Sequence, residues 1–178
     1  MTKPSSLVDR FDAFLRGHAS ASHALEQWHR HSLEGGAPSL EAPQLQARPI
    51  RPCSELASPP ADALAVLALA AGESLRARHV ALSLGGDVVS IAANWYVPER
   101  LDPAMNAALA DGTTPFGKII GPLHFDRELL ESSRDPGAPY PKGTILRHRA
   151  VLRLRDGRAL AYLVECYTRA NLAVPATD

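Results

Sequence analysis

Two residues with titratable side chains, His148 and Glu165, lie eight positions away from the Asp156-Gly157 pair, one on each side of it. Asp-Gly is a preferred central pair of a two-residue type I′ turn, which joins two antiparallel strands residue by residue. Counting outward from this turn places His148 directly opposite Glu165. Because alternate residues of a strand share a face, the remaining residues on this face are apolar, namely Leu152, Leu154, Ala150, Ala159, Ala161 and Leu163.

A carboxylate on an apolar sheet face must find a partner or become neutral, because burying an unpaired charge is costly. One interpretation is a structural His148–Glu165 pair that satisfies itself at the edge of the core. The other is a binding or catalytic site, and the hairpin alone does not decide between them. The opposite face of the first strand carries arginines that we expect to be solvated, namely Arg147, Arg149, Arg153 and Arg155.

Arg78 stands in a second hairpin pattern, whose two strands flank Gly85-Gly86-Asp87. Strand alternation places it on one face with Val80, Leu82 and Leu84. The conservative interpretation is that its long stem lets the charged head reach water. The functional interpretation is that its planar guanidinium grips a ligand carboxylate at two points. Together with His148 and Glu165, Arg78 predicts a polar cluster at one end of an apolar pocket, which suits an aromatic acid.

The segment Thr113 to Lys118 contains Pro115 and Gly117, and it is a candidate for backbone contact with a ligand. Glycine lets another group approach the backbone closely, and exposed N–H groups at such a turn can bind an anion. An ordinary turn remains the alternative. The sequence contains no metal-binding, P-loop or nucleophile-elbow motif, so neither a metal nor a cofactor is predicted.

Composition limits the classes of function. The chain has 178 residues and a formal net charge of zero, which argues against nucleic acid as the main partner. No apolar stretch is long enough to span a membrane, and the first residues lack the apolar core of a signal peptide. We therefore expect a cytoplasmic protein with no membrane span. The oligomeric state is not predicted.

The order of elements indicates an α+β fold in one domain over residues 1–178. Several antiparallel strands with helices packed on one side form such a layered structure. Asp102 is expected to cap a helix that begins at Pro103. The predicted parts are N-terminal helices over 7–33, a Pro-rich wrapping segment over 36–60 and an α+β core over 61–172, with a short apolar helix at 61–71 and a further possible strand in LHFDRELLES.

The second half of the chain resembles chorismate lyase, which removes pyruvate from chorismate to leave 4-hydroxybenzoate. The resemblance runs from about residue 78 to residue 172. It rests on four pieces in order: Arg78 opening a strand hairpin, a second strand ending in Val97-Pro98, the turn Thr114-Pro115-Phe116-Gly117, and a last hairpin whose final strand carries Glu165.

The resemblance implies a chorismate lyase-like fold, cofactor-free elimination and a role for each matching residue. Arg78 would hold a carboxylate, the backbone at Phe116 and Gly117 would hydrogen-bond the ligand, and Glu165 would supply a proton near the departing enolpyruvyl oxygen. Independently of the resemblance, the position of His148 opposite Glu165 suggests that it binds substrate or sets the protonation state of Glu165.

Two departures from the family pattern bear on the site. Arg78 reaches its place only if the Gly85-Gly86-Asp87 turn holds one extra residue, and otherwise His79 takes that place. Asn94 stands where better-known members carry another arginine, although chorismate has two carboxylates.

The competing function is a non-catalytic binding domain for an aromatic carboxylate, because ligand-sensing domains of some transcription regulators resemble this fold. A purely structural scaffold is the third hypothesis. We expect a small aromatic carboxylate as partner under the first two.

Overall fold

The computed structural model describes residues 6–33, 44–137 and 140–172. Its centre is a six-stranded antiparallel sheet with the strand order β1-β2-β3-β6-β5-β4. The strands are β1 (Gln46–Pro49), β2 (Arg76–Leu84), β3 (Asp87–Tyr96), β4 (Asp126–Arg134), β5 (Thr144–Arg153) and β6 (Ala159–Thr168). The helices are α1 (Leu7–Arg16), α2 (Ala21–Leu33), α3 (Ser54–Ala57), α4 (Ala63–Leu67), α5 (Pro103–Asp111) and α6 (Phe116–Ile120).

The two faces of the sheet carry different layers. We call the face that bears Val80, Ala92 and Leu163 the site face; α1 and α2 pack on one half of it and α5 and α6 on the other. The reverse face bears Trp95 and Tyr162 and is covered by the short helices α3 and α4. The predicted antiparallel sheet with helices on one side is thus confirmed for the longer helices. The short apolar helix predicted at 61–71 is present as α4, but it packs on the reverse face, and α3 beside it was not predicted.

Local signals account for the helix boundaries. Ser6 and Asp9 form a capping box at the start of α1, and such a box satisfies two otherwise unpaired backbone donors. Asp102 caps α5 and Pro103 is its first residue, as predicted. The break at residues 17–20 divides the predicted N-terminal helical region into α1 and α2. The Pro-rich segment up to residue 43 lies outside the described residues.

The described part of the Pro-rich segment contains more regular structure than expected. Residues 46–49 form β1, which pairs with β2 at the edge of the sheet, and Pro49 ends it. An edge strand tolerates proline because one side of its backbone needs no partner. The short helix α3 follows. The segment therefore completes the sheet as well as wrapping around it.

The last hairpin has the predicted register but not the predicted turn. His148 pairs with Glu165, Ala150 with Leu163 and Leu152 with Ala161. The type I′ turn is wrong, because Gly157 has a positive φ while Asp156 does not. Instead Leu154 N and O bond to Arg158 O and Gly157 N around a three-residue loop, and a bulge next to Leu152 restores the register. The extra loop residue and the bulge each shift the strand pairing by one residue in opposite directions, so the predicted register is kept.

The arginines on the reverse face of β5 divide into two groups. Arg153 and Arg155 reach solvent as expected, but the side chains of Arg147 and Arg149 are only 12 % and 26 % exposed. Both pair with Glu131 of β4. The expectation of solvated arginines is wrong for these two, because a neighbouring strand and the α4 region supply their partners, including Asp62.

None of the described helices is long and apolar enough to cross a membrane.

We predict that Gly112→Ala destabilises the fold more than Gly72→Ala. Both glycines have positive φ, of 81° and 85°, where an L-residue costs roughly 1–2 kcal/mol. A Cβ on Gly112 would also meet Pro49 Cγ at 2.6 Å, whereas a Cβ on Gly72 meets nothing within 4 Å. Urea denaturation of both variants measures the difference. Equal losses in the free energy of unfolding would show that the contact between the end of α5 and β1 is not tight.

Candidate functional site

Sheet register brings the predicted site residues onto the site face. Arg78 pairs with Asn94, while Ala92 lies beside Glu165. The question of Arg78 or His79 is settled in favour of Arg78, which is buried on this face. His79 lies on the reverse face, where its Nε2 is 2.6 Å from Leu56 O and its ring meets the edge of Trp95.

A small cavity of about 30 Å³ lies above these residues, under the connection between α1 and α2. Its floor is apolar and formed by the sheet, and polar residues of β3, β4, β6, α2 and the connection before α2 also line it. The lining residues used below are Ser20, Val80, Ala92, Asn94, Phe116, Gly117, Phe125, Arg127, Leu163 and Glu165. Of the predicted site residues, Asn94, Phe116, Gly117 and Glu165 line the cavity. Arg78 and His148 do not line it, but each is the cross-strand neighbour of a lining residue, Asn94 and Glu165 respectively.

Glu165 is held by an arginine that sequence analysis missed. Arg127 of β4 donates from Nη2 to Glu165 Oε2 at 2.5 Å, and the hydroxyl of Tyr167 donates to the same oxygen at 3.1 Å. The side chain of Arg127 is only 3 % exposed. Glu165 therefore takes part in a buried ion pair. The carboxylate on the apolar face has the partner that its burial requires, and this partner is Arg127, not His148.

His148 does not bond to Glu165 although the two residues are cross-strand neighbours. Its Nε2 lies 2.7 Å from Asp12 Oδ1 and its Nδ1 lies 3.2 Å from Arg127 Nη2. Because a guanidinium only donates, Nδ1 must accept and Nε2 must carry the proton that Asp12 accepts. The structural His148–Glu165 pair is thus replaced by a chain in which Asp12 and Arg127 bond to opposite edges of one ring.

Burial and hydrogen bonding together favour one charge state for each of His148 and Asp12. Burial lowers the pKa of His148, whose side chain is completely buried, and so favours the neutral ring. Burial alone would raise the pKa of Asp12, but hydrogen bonds from Arg16, His148 and Ser132 outweigh it and hold that pKa below its usual value. An ionised Asp12 on α1 and a neutral His148 on β5 therefore tie the first helix to the sheet.

Arg78 is buried without a carboxylate partner in the part of the chain that the structure describes. Both bonds from its Nη2 go to backbone oxygens, of Gly112 at 3.1 Å and Thr114 at 2.6 Å. Its Nε and Nη1 have no partner among the described residues. Burial lowers the pKa of Arg78, because the charged form is deprived of water.

The predicted two-point grip of Arg78 is wrong in this conformation. A parallel fork to one carboxylate needs Nη2 together with Nε or Nη1, and Nη2 is already occupied by the 112–114 turn. The free donors Nε and Nη1 lie on different edges of the guanidinium. Each can therefore give a separate hydrogen bond to a ligand.

Gly117 allows the α1–α2 connection to close over the cavity. A Cβ at this position would lie 2.7 Å from Ser20 Oγ and 3.4 Å from Ser22 Oγ. This close approach explains the glycine by packing. Hydrogen bonding of a ligand by the backbone at Phe116 and Gly117, as the resemblance implies, stays a prediction.

Three functional residues were missed, and two of them left a signal in the sequence. Tyr167 follows Glu165 by two residues, so strand alternation places it on the same face. Asp12 lies between Val8 and Leu15 at helical spacing, on the apolar side of α1. Arg127 lies in a segment whose strand face could not be assigned. No cluster of three or more metal-ligating side chains occurs among the described residues.

Comparison with known proteins assigns the chain to a family. It is 30 % identical to the uncharacterised protein y4mC of Sinorhizobium fredii (strain NBRC 101917 / NGR234) over 194 residues, which cover 96 % of this chain and 77 % of y4mC. The chain therefore belongs to the same family as y4mC. No family model matches the sequence.

Solved structures share the fold. The effector domain of PhnF from Mycobacterium smegmatis superimposes with a TM-score of 0.54 at 12 % identity, covering 85 % of this chain and 90 % of that domain. A longer PhnF structure gives the same TM-score and identity, and the chain spans 66 % of it. These likenesses confirm the predicted α+β class and its chorismate lyase-like fold.

We predict that the protein loses stability as the pH falls below about 6.5, the ordinary pKa of histidine. The folded-state pKa of His148 is lowered, so the unfolded chain takes up a proton first. Unfolding is then favoured by up to about 1.4 kcal/mol per pH unit until the folded-state pKa is reached. Urea denaturation between pH 7.5 and 5.5 measures this slope.

His148→Asn should flatten the slope in that range, because the titrating group is gone. His124→Asn is the matched control, since His124 is exposed and asparagine tolerates its left-handed backbone. A slope that survives His148→Asn, or that His124→Asn removes, would contradict the assignment.

Proposed function

We propose that this protein binds a small aromatic carboxylate on the site face, with Arg78 as the residue that compensates the ligand charge. The observation that carries this proposal is the burial of Arg78, which is 7 % exposed, together with two guanidinium nitrogens that have no partner among the described residues. An unpaired buried charge costs free energy, and a ligand carboxylate would remove this cost.

The charge of the site favours a monoanion. Arg127 and Glu165 neutralise each other, Asp12 pairs with Arg16, and His148 is neutral in the arrangement described above. The positive charge of Arg78 is left over. A single carboxylate therefore balances the site, whereas a dianion such as chorismate would leave one negative charge in excess unless Glu165 is protonated.

The shape of the site suits a flat ring that enters only when the cover moves. The floor is made of Val80, Ala92 and Leu163, and phenylalanines stand above it at positions 116 and 125. A cavity of roughly 150 Å³ holds benzene, whereas this one has about 30 Å³. An open recess lies next to the cavity, and Ser20 of the α1–α2 connection and Gly117 line both. The α1–α2 connection must therefore shift towards this recess to admit a ring.

The comparisons support the binding of a small molecule, but they do not indicate which one. The similar PhnF structure is an effector domain, and its likeness in fold is compatible with a ligand-binding role here. The relative y4mC is uncharacterised and does not favour any one ligand.

Elimination of pyruvate from chorismate is the second candidate function. It is favoured by Arg127, which lines the cavity. Arg127 supplies the second cation that chorismate lyases carry at the position of Asn94. If the second carboxylate of chorismate took Arg127, Glu165 would be released from its ion pair and could hold a proton near the departing enolpyruvyl oxygen. The protein would otherwise orient the substrate and exclude water, and no cofactor is required.

For binding, we predict that Arg78→Gln weakens the affinity for 4-hydroxybenzoate by about 10- to 100-fold, the range expected for a hydrogen bond to a charged group. Arg76→Gln is the matched control, because it removes the same charge from an exposed position of the same strand. Isothermal titration calorimetry measures both.

Equal weakening by the two variants would show a general charge effect. Unchanged affinity in Arg78→Gln would contradict the proposed role of Arg78.

For catalysis, we predict that purified protein releases pyruvate from chorismate and that Glu165→Gln lowers turnover by about 100-fold or more, as expected for loss of a general acid. Glu128→Gln, which changes an exposed carboxylate of β4, should leave turnover unchanged. A lactate dehydrogenase assay detects the pyruvate. Absence of pyruvate with the wild-type protein would remove the second candidate and leave the binding proposal standing.

A further inference from the structure

The amide oxygen of Asn94 is a hydrogen-bond acceptor on a residue of the cavity wall, and no described residue donates to it. Asn94 is 4 % exposed and lines the cavity. Its Oδ1 is buried and has no partner among the described residues. A buried acceptor without a donor destabilises a fold, so a ligand that supplies a donor at this point gains affinity.

Asn94 and Arg78 are directly opposite each other on β3 and β2. The Cβ atoms of such a pair lie about 5 Å apart, so the unused acceptor of Asn94 and the unused donors of Arg78 belong to one small region. A ligand that satisfies both residues must carry an anionic acceptor for Arg78 and a hydrogen-bond donor for Asn94. The two groups must also be close together on the ligand.

We propose that Asn94 selects aromatic carboxylates that carry an amino group ortho to the carboxylate. The simplest member of this class is 2-aminobenzoate. This inference rests on the proposed carboxylate site and adds the position of a second group. An aromatic amine is neutral at pH 7 and does not repel Arg78. One of its two hydrogens can face the ligand's own carboxylate, and the other remains for Asn94 Oδ1.

The site offers a reason to prefer this position over the far end of the ring. The floor beneath a ring held by Arg78 is hydrocarbon, formed by Val80, Ala92 and Leu163. A donor in the 4-position would point away from Asn94. The preference should therefore depend on where the donor stands on the ring and not only on its presence.

Isothermal titration of the wild-type protein with four benzoates tests the proposal without any variant. We expect 2-aminobenzoate to bind about tenfold more tightly than benzoate, the effect of one buried hydrogen bond. The 4-amino isomer, which has the donor in the wrong place, should bind like benzoate. So should 2-fluorobenzoate, which fills the same position without a donor.

Two variants assign the preference to Asn94. In Asn94→Leu, which keeps a similar volume but has no acceptor, the ratio of affinities for 2-aminobenzoate and benzoate should fall to about one while benzoate binding persists. Ser90→Ala is the matched control. Ser90 is on the same strand and face, is buried, and has a hydroxyl without a partner among the described residues. It is not part of the cavity lining, so the ratio should stay near ten.

Each outcome bears on one claim. Equal binding of benzoate and the two aminobenzoates, or a ratio unchanged in Asn94→Leu, would overturn the selection by Asn94 and leave the carboxylate site in place. Failure of all four benzoates to bind would overturn the carboxylate site itself and the inference with it.

Discussion

The charged side chains beneath α1 and α2, Arg127 and Glu165, are shielded from water and neutralise each other. The ion pair between Arg127 and Glu165 is the centre of this arrangement, because His148 and Tyr167 both bond to it. His148 in turn binds Asp12, which fixes α1 against the sheet. The position of the cover over the cavity and the polarity of its wall thus depend on the same buried pair. Removing one partner of such a pair is strongly destabilising, because the other charge is left unpaired.

Arg78 is the buried cation that this arrangement does not neutralise. It holds the turn before α6 through two backbone carbonyls, so it has a structural role, but that role uses only one of its three nitrogens. Neutral donors could hold those carbonyls as well. A permanently charged group at a buried position is therefore better explained by an anionic ligand. The surplus of one positive charge in the site also indicates an anionic ligand.

Much of the fold could be predicted from the sequence, because its elements carry strong local signals. Asp102-Pro103 defined the start of α5, and the Gly85-Gly86 pair defined a hairpin. The pairing of His148 with Glu165 was counted from a two-residue turn, and it is correct because the bulge next to Leu152 compensates for the extra loop residue. The strand β1 was missed because its four residues lie among prolines and have little periodicity. The turn at Asp156-Gly157 was assigned wrongly because the same dipeptide suits a two-residue and a three-residue loop.

The partners of the site residues were harder to predict than their faces. His148 and Glu165 were correctly placed opposite each other, yet each bonds elsewhere, since Asp12 comes from a helix 136 positions away and Arg127 from another strand. Alternation on one hairpin contains no information about such contacts. Arg78 was placed on the correct face, but the occupation of its Nη2 by the 112–114 turn depends on tertiary packing.

The central claim is that the unpaired donors of Arg78 hold a ligand carboxylate. A crystal structure of the protein with bound benzoate tests this most directly. We expect a carboxylate oxygen within about 2.7–3.2 Å of Nε or Nη1 of Arg78, with the ring over Ala92 and Leu163. A structure in which the benzoate lies elsewhere, while Arg78 keeps only its bonds to Gly112 and Thr114, would contradict the account.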